Sequence, residues 1–114
     1  MATRSRIGVV TKSGEVKSIY CHFNGGPEGV GKDLLNKEFK DVNEVESFID
    51  EGDRSTIETS YNDRGEYYPP RINKTESEYW LSDLQEWGYL YKEGEWFVIK
   101  ANDRTKIYEL KKWK

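Results

Sequence analysis

The chain has 114 residues, 34% of them charged and 35% hydrophobic, with a formal net charge of -3 at pH 7. That length holds one core and is short for two, so a single domain over residues 1–114 is expected, its thin aliphatic content offset by four Trp and eight Tyr. One Cys and one His exclude an intramolecular disulfide and a Cys/His zinc cluster, and no metal or cofactor is indicated.

Arg4 to Thr11 and Val16 to Phe23 read as two strands around Lys12-Ser13-Gly14, because a three-residue hairpin loop wants Gly at its left-handed position. This loop sets Ile7 opposite Ile19 and Ser5 opposite Cys21 on one face, and Arg6 opposite Tyr20 and Arg4 opposite His22 on the other. One face is core-like, the other cationic and aromatic. A two-residue turn at Ser13-Gly14 shifts the pairing by one and destroys that segregation.

After a glycine-dense loop, Val30, Leu34 and Leu35 form a short helical face. Asp41 and Glu44 then make a capping-box signature ahead of Val42, Val45, Phe48 and Ile49, with Gly52 as the stop. Ser55 to Thr59 reads as a brief strand. The span Tyr61 to Lys74 carries Asn62, Asp63, Gly65 and Pro69-Pro70, which argue against regular structure. Thr75 and Glu78 offer a second capping box before Trp80, Leu81, Leu84 and Trp87 at helical spacing, with Gly88 as C-cap. Tyr89 to Tyr91, a Glu93-Gly94 turn, Glu95 to Lys100, an Asn102-Asp103 turn and Thr105 to Leu110 suggest a closing meander. The fold class expected is α+β: an antiparallel sheet of about five strands, the N-terminal hairpin plus a C-terminal three-strand meander, packed against three short helices.

Charge is segregated along the chain. Residues 1–22 carry four basic and one acidic side chain, and residues 100–114 six and two. Residues 23–99 hold eight basic against eighteen acidic groups, crowded at Asp41, Glu44, Glu46, Asp50, Glu51 and Asp53. Such a middle repels nucleic acid, which argues against that partner. No run approaches the roughly 20 apolar residues of a membrane span, and no signal-like segment follows Met1 to Arg6, so a soluble cytoplasmic protein is expected.

The candidate site is the strand-to-helix junction. Gly26-Pro27-Glu28-Gly29-Val30-Gly31-Lys32-Asp33 matches the G-x-x-x-x-G-K part of a phosphate-binding loop, but Asp33 stands where Ser or Thr would hold magnesium. That carboxylate, Glu28 inside the loop and the preceding antiparallel hairpin count against an NTPase. Two readings stay open: a Gly/Pro turn that bends strand into helix, and a binding site for an anion. In the second, free loop amides and Lys32 converge with the Arg4, Arg6, Tyr20 and His22 face. Its residues are Arg4, Arg6, Tyr20, His22, Asn24, Gly25, Gly26, Gly29, Gly31 and Lys32.

Cys21 and His22 are neighbours on a strand and point to opposite faces, so they make no nucleophile and base pair, and no catalytic residues are assigned. Cys21 reads as a small core residue and His22 as a hydrogen bonder or ligand contact. Trp80, Trp87, Trp96 and Phe97 fall at spacings that bury them. Tyr61, Tyr67 and Tyr68, beside Arg64 and Arg71, are loop aromatics suited to contact a partner.

The blocks Thr3-Arg4-Ser5-Arg6-Ile7-Gly8 and Ser18-Ile19-Tyr20-Cys21-His22, with Gly-Pro-x-Gly-Val-Gly at 26–31, resemble a group of small phage and prophage accessory proteins. Gly52-Asp53, Arg64-Gly65-Glu66 and Glu95-Trp96 continue the likeness. Where that group reads Trp-Asp-Gly-Tyr before the proline, this chain has Phe23-Asn24-Gly25-Gly26. The resemblance implies an accessory protein of a mobile element, working in the host cytoplasm on host physiology or defence, and implies no reaction. The leading expectation is therefore a non-enzymatic protein that binds an anionic small ligand or an acidic patch on a host protein. The alternative is a protein interaction module acting through the acidic helix 41–53 and the Tyr61 to Arg71 loop, with no membrane partner in either.

Overall fold

In a computed structural model, which describes residues 3–60 and 67–113, strands β1 (Ser5–Val10) and β2 (Val16–Cys21) pair antiparallel. Ile7 lies opposite Ile19, Ser5 opposite Cys21 and Arg6 opposite Tyr20, the register that the loop composition dictates. Gly14 takes φ +89° at the tip, while the Thr11 amide donates to Glu15 O at 2.8 Å. A π-helical turn over Pro27–Gly31 then runs into α1 (Lys32–Asn36).

Helix α2 (Val42–Asp50) begins where its cap predicts. The Glu44 amide donates to Asp41 Oδ1 at 3.1 Å, and Glu44 reaches back to accept from the Lys40 amide at 2.9 Å. Gly52, at φ +91°, lets the chain leave the helix. The brief strand expected next is a small hairpin of β3 (Arg54–Thr56) and β4 (Thr59–Ser60). Of the irregular span read at 61–74, Tyr61, Asn62, Asp63, Arg64, Gly65 and Glu66 lie outside the described residues. Its end is β5 (Arg71–Asn73), directly after Pro69-Pro70.

Helix α3 (Glu76–Leu81) starts at the predicted Thr75 cap but stops seven residues short of Gly88. Arg104 Nη1 donates to the carbonyls of Trp80 at 3.2 Å and Ser82 at 2.7 Å, satisfying the helix end from outside. Gln85 then adopts φ +65°, and Trp87 and Gly88 belong to strand β6 (Trp87–Lys92). Gly88 is needed there for space: a Cβ would meet Leu84 Cδ1 at 2.8 Å. The Glu93-Gly94 turn, both residues at positive φ, leads to β7 (Glu95–Lys100). Strand β8 (Asp103–Glu109) and one 3-10 turn, Leu110–Lys112, complete the described chain.

The sheet is mixed, which corrects the expected antiparallel arrangement of about five strands. Its order is β4-β3-β2-β1-β6-β7-β8, with β5 also pairing β2. β1 runs parallel to β6, and β2 parallel to β3. The β1–β6 seam joins the N-terminal hairpin to the C-terminal meander. Ile7, Gly8 and Val9 of β1 are buried, so its outer edge cannot leave backbone donors to water, and β6 supplies their partners.

Helices cover both faces. Ile7, Val9, Ile19, Cys21, Tyr89 and Val98 pack under α1 and α2 through Leu34, Val45, Phe48 and Ile49. On the opposite face Val16, Leu90 and Ile99 meet Tyr79, Trp80 and Leu84 from α3 and the turn after it. Among the described residues no helix is long and apolar enough to cross a membrane.

Candidate functional site: an arginine pair on the α3 face

The glycine loop is a packed turn. The Gly25 amide donates to Thr3 O at 2.8 Å, Val30 to Asn24 O at 2.7 Å, and both Gly29 and Gly31 to Gly26 O. The Lys32 amide is taken by Gly29 O and Pro27 O. Those donors are already spent inside the chain, so the expected cradle of free amides does not form. The glycines serve close approach instead. A Cβ on Gly29 would stand 2.3 Å from Asn24 O, one on Gly25 2.8 Å from Thr3 O, and one on Gly31 2.9 Å from Leu110 Cδ1. Asn24 accepts the left-handed φ of +58° that starts the turn, and Gly25 O accepts from Tyr89 Oη at 2.6 Å.

Nor do all the predicted residues converge. Lys32 is exposed on α1, beside Pro27, Glu28, Leu35, Leu110, Lys111 and Trp113. Arg6 projects from the other face of the sheet, the face that carries α3. The sheet stands between them, because alternation along β1 sends Arg6 away from Ile7 and Val9, which pack under α1 and α2. Arg4 precedes β1 with an exposed side chain, and its backbone pairs with Glu86, donating to Oε2 at 2.8 Å and accepting from the amide at 3.1 Å.

What the structure does bring together is Arg6, Tyr20 and His22, with Arg71 added. Arg6 Nε donates to Ser18 Oγ at 2.9 Å and Nη2 to Ser18 O at 3.2 Å. Ser18 is fully buried and pairs with Gly8 on one side and Arg71 on the other. In both antiparallel pairs, side chains opposite each other share a face, so two guanidinium groups flank one serine. Arg71 Nη2 is held by Ser82 Oγ at 2.6 Å and Asp83 O at 3.2 Å, while its Nε is buried without a hydrogen-bond partner. Burial, and then the field of Arg71, hold the Arg6 guanidinium below its ordinary pKa.

Among the described residues no carboxylate stands within 4 Å of either arginine. Asp53 and Asp83 lie in the field of Arg6 but are otherwise engaged. Asp53 Oδ1 accepts the Tyr20 amide at 2.9 Å, and Asp83 Oδ1 the Gln85 amide at 3.0 Å. Burial raises the pKa of Asp53 despite that hydrogen bond and Arg6. Tyr20 Oη and His22 Nδ1 share a 2.5 Å hydrogen bond beside this group, and Phe23 sets its ring edge-on to the imidazole at 4.4 Å.

Cys21 lies in the α1 and α2 core, where burial pushes its thiol up to about 11, and it faces away from His22. Trp80 and Trp96 are buried, while Trp87 and Phe97 pack partly buried at the core margins. The acidic run is largely exposed, and its carboxylates are engaged within the fold. Asp41 and Glu44 cap α2, Glu46 and Asp50 both grip Lys17 at 2.9 Å, Glu51 pairs with the buried Arg54, and Asp53 holds Tyr20. Tyr67 is exposed, with its hydroxyl donated to Asp50 O at 2.7 Å.

Sequence reasoning places Arg71 only among loop contacts. The signal for its position is the Arg-Ile-Asn triplet directly after two prolines, since proline is tolerated at the start of an edge strand. Comparison with protein-family models, curated proteins and solved structures returns no match, so the functional reading rests on this geometry.

Proposed function

We propose a non-enzymatic accessory protein of phage type that binds an anionic group, on a small ligand or an acidic patch of a host protein, through Arg6 and Arg71. The observation that carries this reading is two half-buried guanidinium groups beside Ser18 with no carboxylate partner among the described residues. Like charges held together in a partly desolvated place repel, and an anion that bridges them relieves that cost. Tyr20 and His22 border the same place and add polar contacts. The sequence resemblance supports the setting, an element acting on its host's physiology or defence.

Sulfate and inorganic phosphate are the probes. Each should raise the melting temperature and shift the Arg6 and Arg71 Nε–Hε resonances, with both effects lost in Arg6→Gln and Arg71→Gln. Unshifted arginine resonances at saturating anion would refute the proposal.

A second reading has its own observation. Tyr67 and Ile72 are 59% and 49% exposed; Tyr67 donates to Asp50 O, and Ile72 lies opposite Lys17, which pairs with Asp50. Such a surface suits a protein interaction module. Capture of a host protein that survives Arg6→Gln and fails after Tyr67→Ala with Ile72→Ser would favour it.

A further inference from the structure

Where β6 begins and β7 ends, Trp87 lies opposite Lys100, and the turn into β8 brings Asn102 and Arg104 to the same end of the sheet as Gln85 and Glu86. These side chains line a cleft of about 340 Å³, within the range that holds a small organic ligand. Its frame is fixed from within the chain. The Glu86 amide donates to Arg4 O at 3.1 Å, the Ala101 amide to Glu86 O at 3.0 Å, and Arg104 Nε to Ala101 O at 2.9 Å. Gln85 stands at φ +65°, uncommon for a residue other than Gly or Asn, with its amide donated to Asp83 Oδ1 at 3.0 Å.

The lining combines one aromatic wall with a balanced set of polar groups. The wall is the half-buried indole of Trp87, held edge-on to Trp113 at 5.4 Å, with Lys100 Nζ 5.7 Å from its ring centre. Asn102 makes no side-chain hydrogen bond among the described residues, so its amide offers both a donor and an acceptor. Lys100 has no carboxylate within 4 Å among those residues, and Glu86, with Oε2 on the Arg4 amide at 2.8 Å, has no cation. Arg104 is spent on the carbonyls of Trp80, Ser82 and Ala101. Asp103, which accepts from Thr105 Oγ1 at 2.7 Å, lies in the field of Lys100. Lys100 and Arg104 are thus set against Glu86 and Asp103, and neither an anion nor a cation gains from the sum.

We propose that this cleft binds a neutral pyranoside, with axial C–H groups on the Trp87 indole and equatorial hydroxyls bonded to Gln85, Glu86, Lys100 and Asn102. A flat apolar wall rimmed by donors and acceptors suits a ring whose faces carry C–H and whose edge carries hydroxyls, since each hydroxyl both donates and accepts. A nucleobase has no such rim and would leave part of the polar set unpaired. The proposal is independent of the arginine pair, because its ligand is uncharged.

Methyl β-cellobioside, whose ring substituents are all equatorial, is the probe, followed through the Trp87 indole and the Gln85 and Asn102 side-chain amide resonances. Saturable shifts are expected, with binding about tenfold weaker in Lys100→Ala/Asn102→Ala. Both residues are exposed, so that variant should melt like the parent. Trp87→Leu, which removes the wall, should abolish the shifts, whereas Arg6→Gln and saturating sulfate should leave them intact. Absence of saturation, unchanged affinity in the double variant, tighter binding of uridine, or loss of binding in Arg6→Gln would each overturn the proposal.

Discussion

Gly29→Ala separates a packed turn from a ligand-binding loop. The new methyl would sit 2.3 Å from Asn24 O and 2.9 Å from Asn24 Cβ, and the first of these is backbone that cannot swing aside. Asn24 O also accepts from the Val30 amide at 2.7 Å, so relieving the overlap breaks a hydrogen bond beside a residue only 1% exposed. Overpacking costs about 1–3 kcal/mol and a stranded donor about 1–3 kcal/mol, so a combined loss of about 2–6 kcal/mol is expected. At about 4 °C per kcal/mol for a chain of this length, the melting temperature should fall by about 8–24 °C. Differential scanning calorimetry on Gly29→Ala, with Lys32→Ala as the exposed control, measures both. A Gly29→Ala protein that melts like the parent would show that the loop opens freely, and the account of its glycines would fail.

Tyr79→Phe should cost about 1–3 kcal/mol in urea unfolding, because the buried hydroxyl donates to Tyr89 O at 2.7 Å and Arg6 O at 3.3 Å; an unchanged midpoint would contradict this. Asp53 has a folded pKa raised above its unfolded value, so the stability it contributes is present below the unfolded pKa and lost as pH rises through the folded one. Asp53→Asn should therefore keep the Tyr20 contact and be neutral or stabilising at pH 7, whereas Asp53→Ala should destabilise; equal losses in both would refute the sign. Cys21 follows the same rule at alkaline pH. Its thiol moves from 9.0 to about 11, so stability should decline between those values, and Cys21→Ala should flatten the decline in urea titrations at pH 8 and pH 10.5.

Local rules and distant packing divide the work in this fold. Gly14 at +89°, the Asp41 and Thr75 caps and the Glu93-Gly94 turn each depend on a few neighbouring residues, and each is legible without the rest of the chain. The end of α3 is not. Its helical spacing continues through Leu84 and Trp87, but Arg104, more than twenty residues later, caps the carbonyls at Trp80 and Ser82. β6 then claims Trp87 for pairing with Ser5 and Lys100.

Sequence alone determined the α+β class, the β1–β2 register that puts Arg6 beside Tyr20, and the starts of α2 and α3, because hairpin loops and caps are short-range devices. Tertiary structure alone decided the parallel β1–β6 seam, the helices on both faces, and the sheet that separates Lys32 from Arg6. It also decided that Arg71 shares Ser18 with Arg6, and that Trp87 and Lys100 line one cleft. These depend on contacts between residues far apart in the chain, where the pairing of buried backbone groups outweighs any local preference.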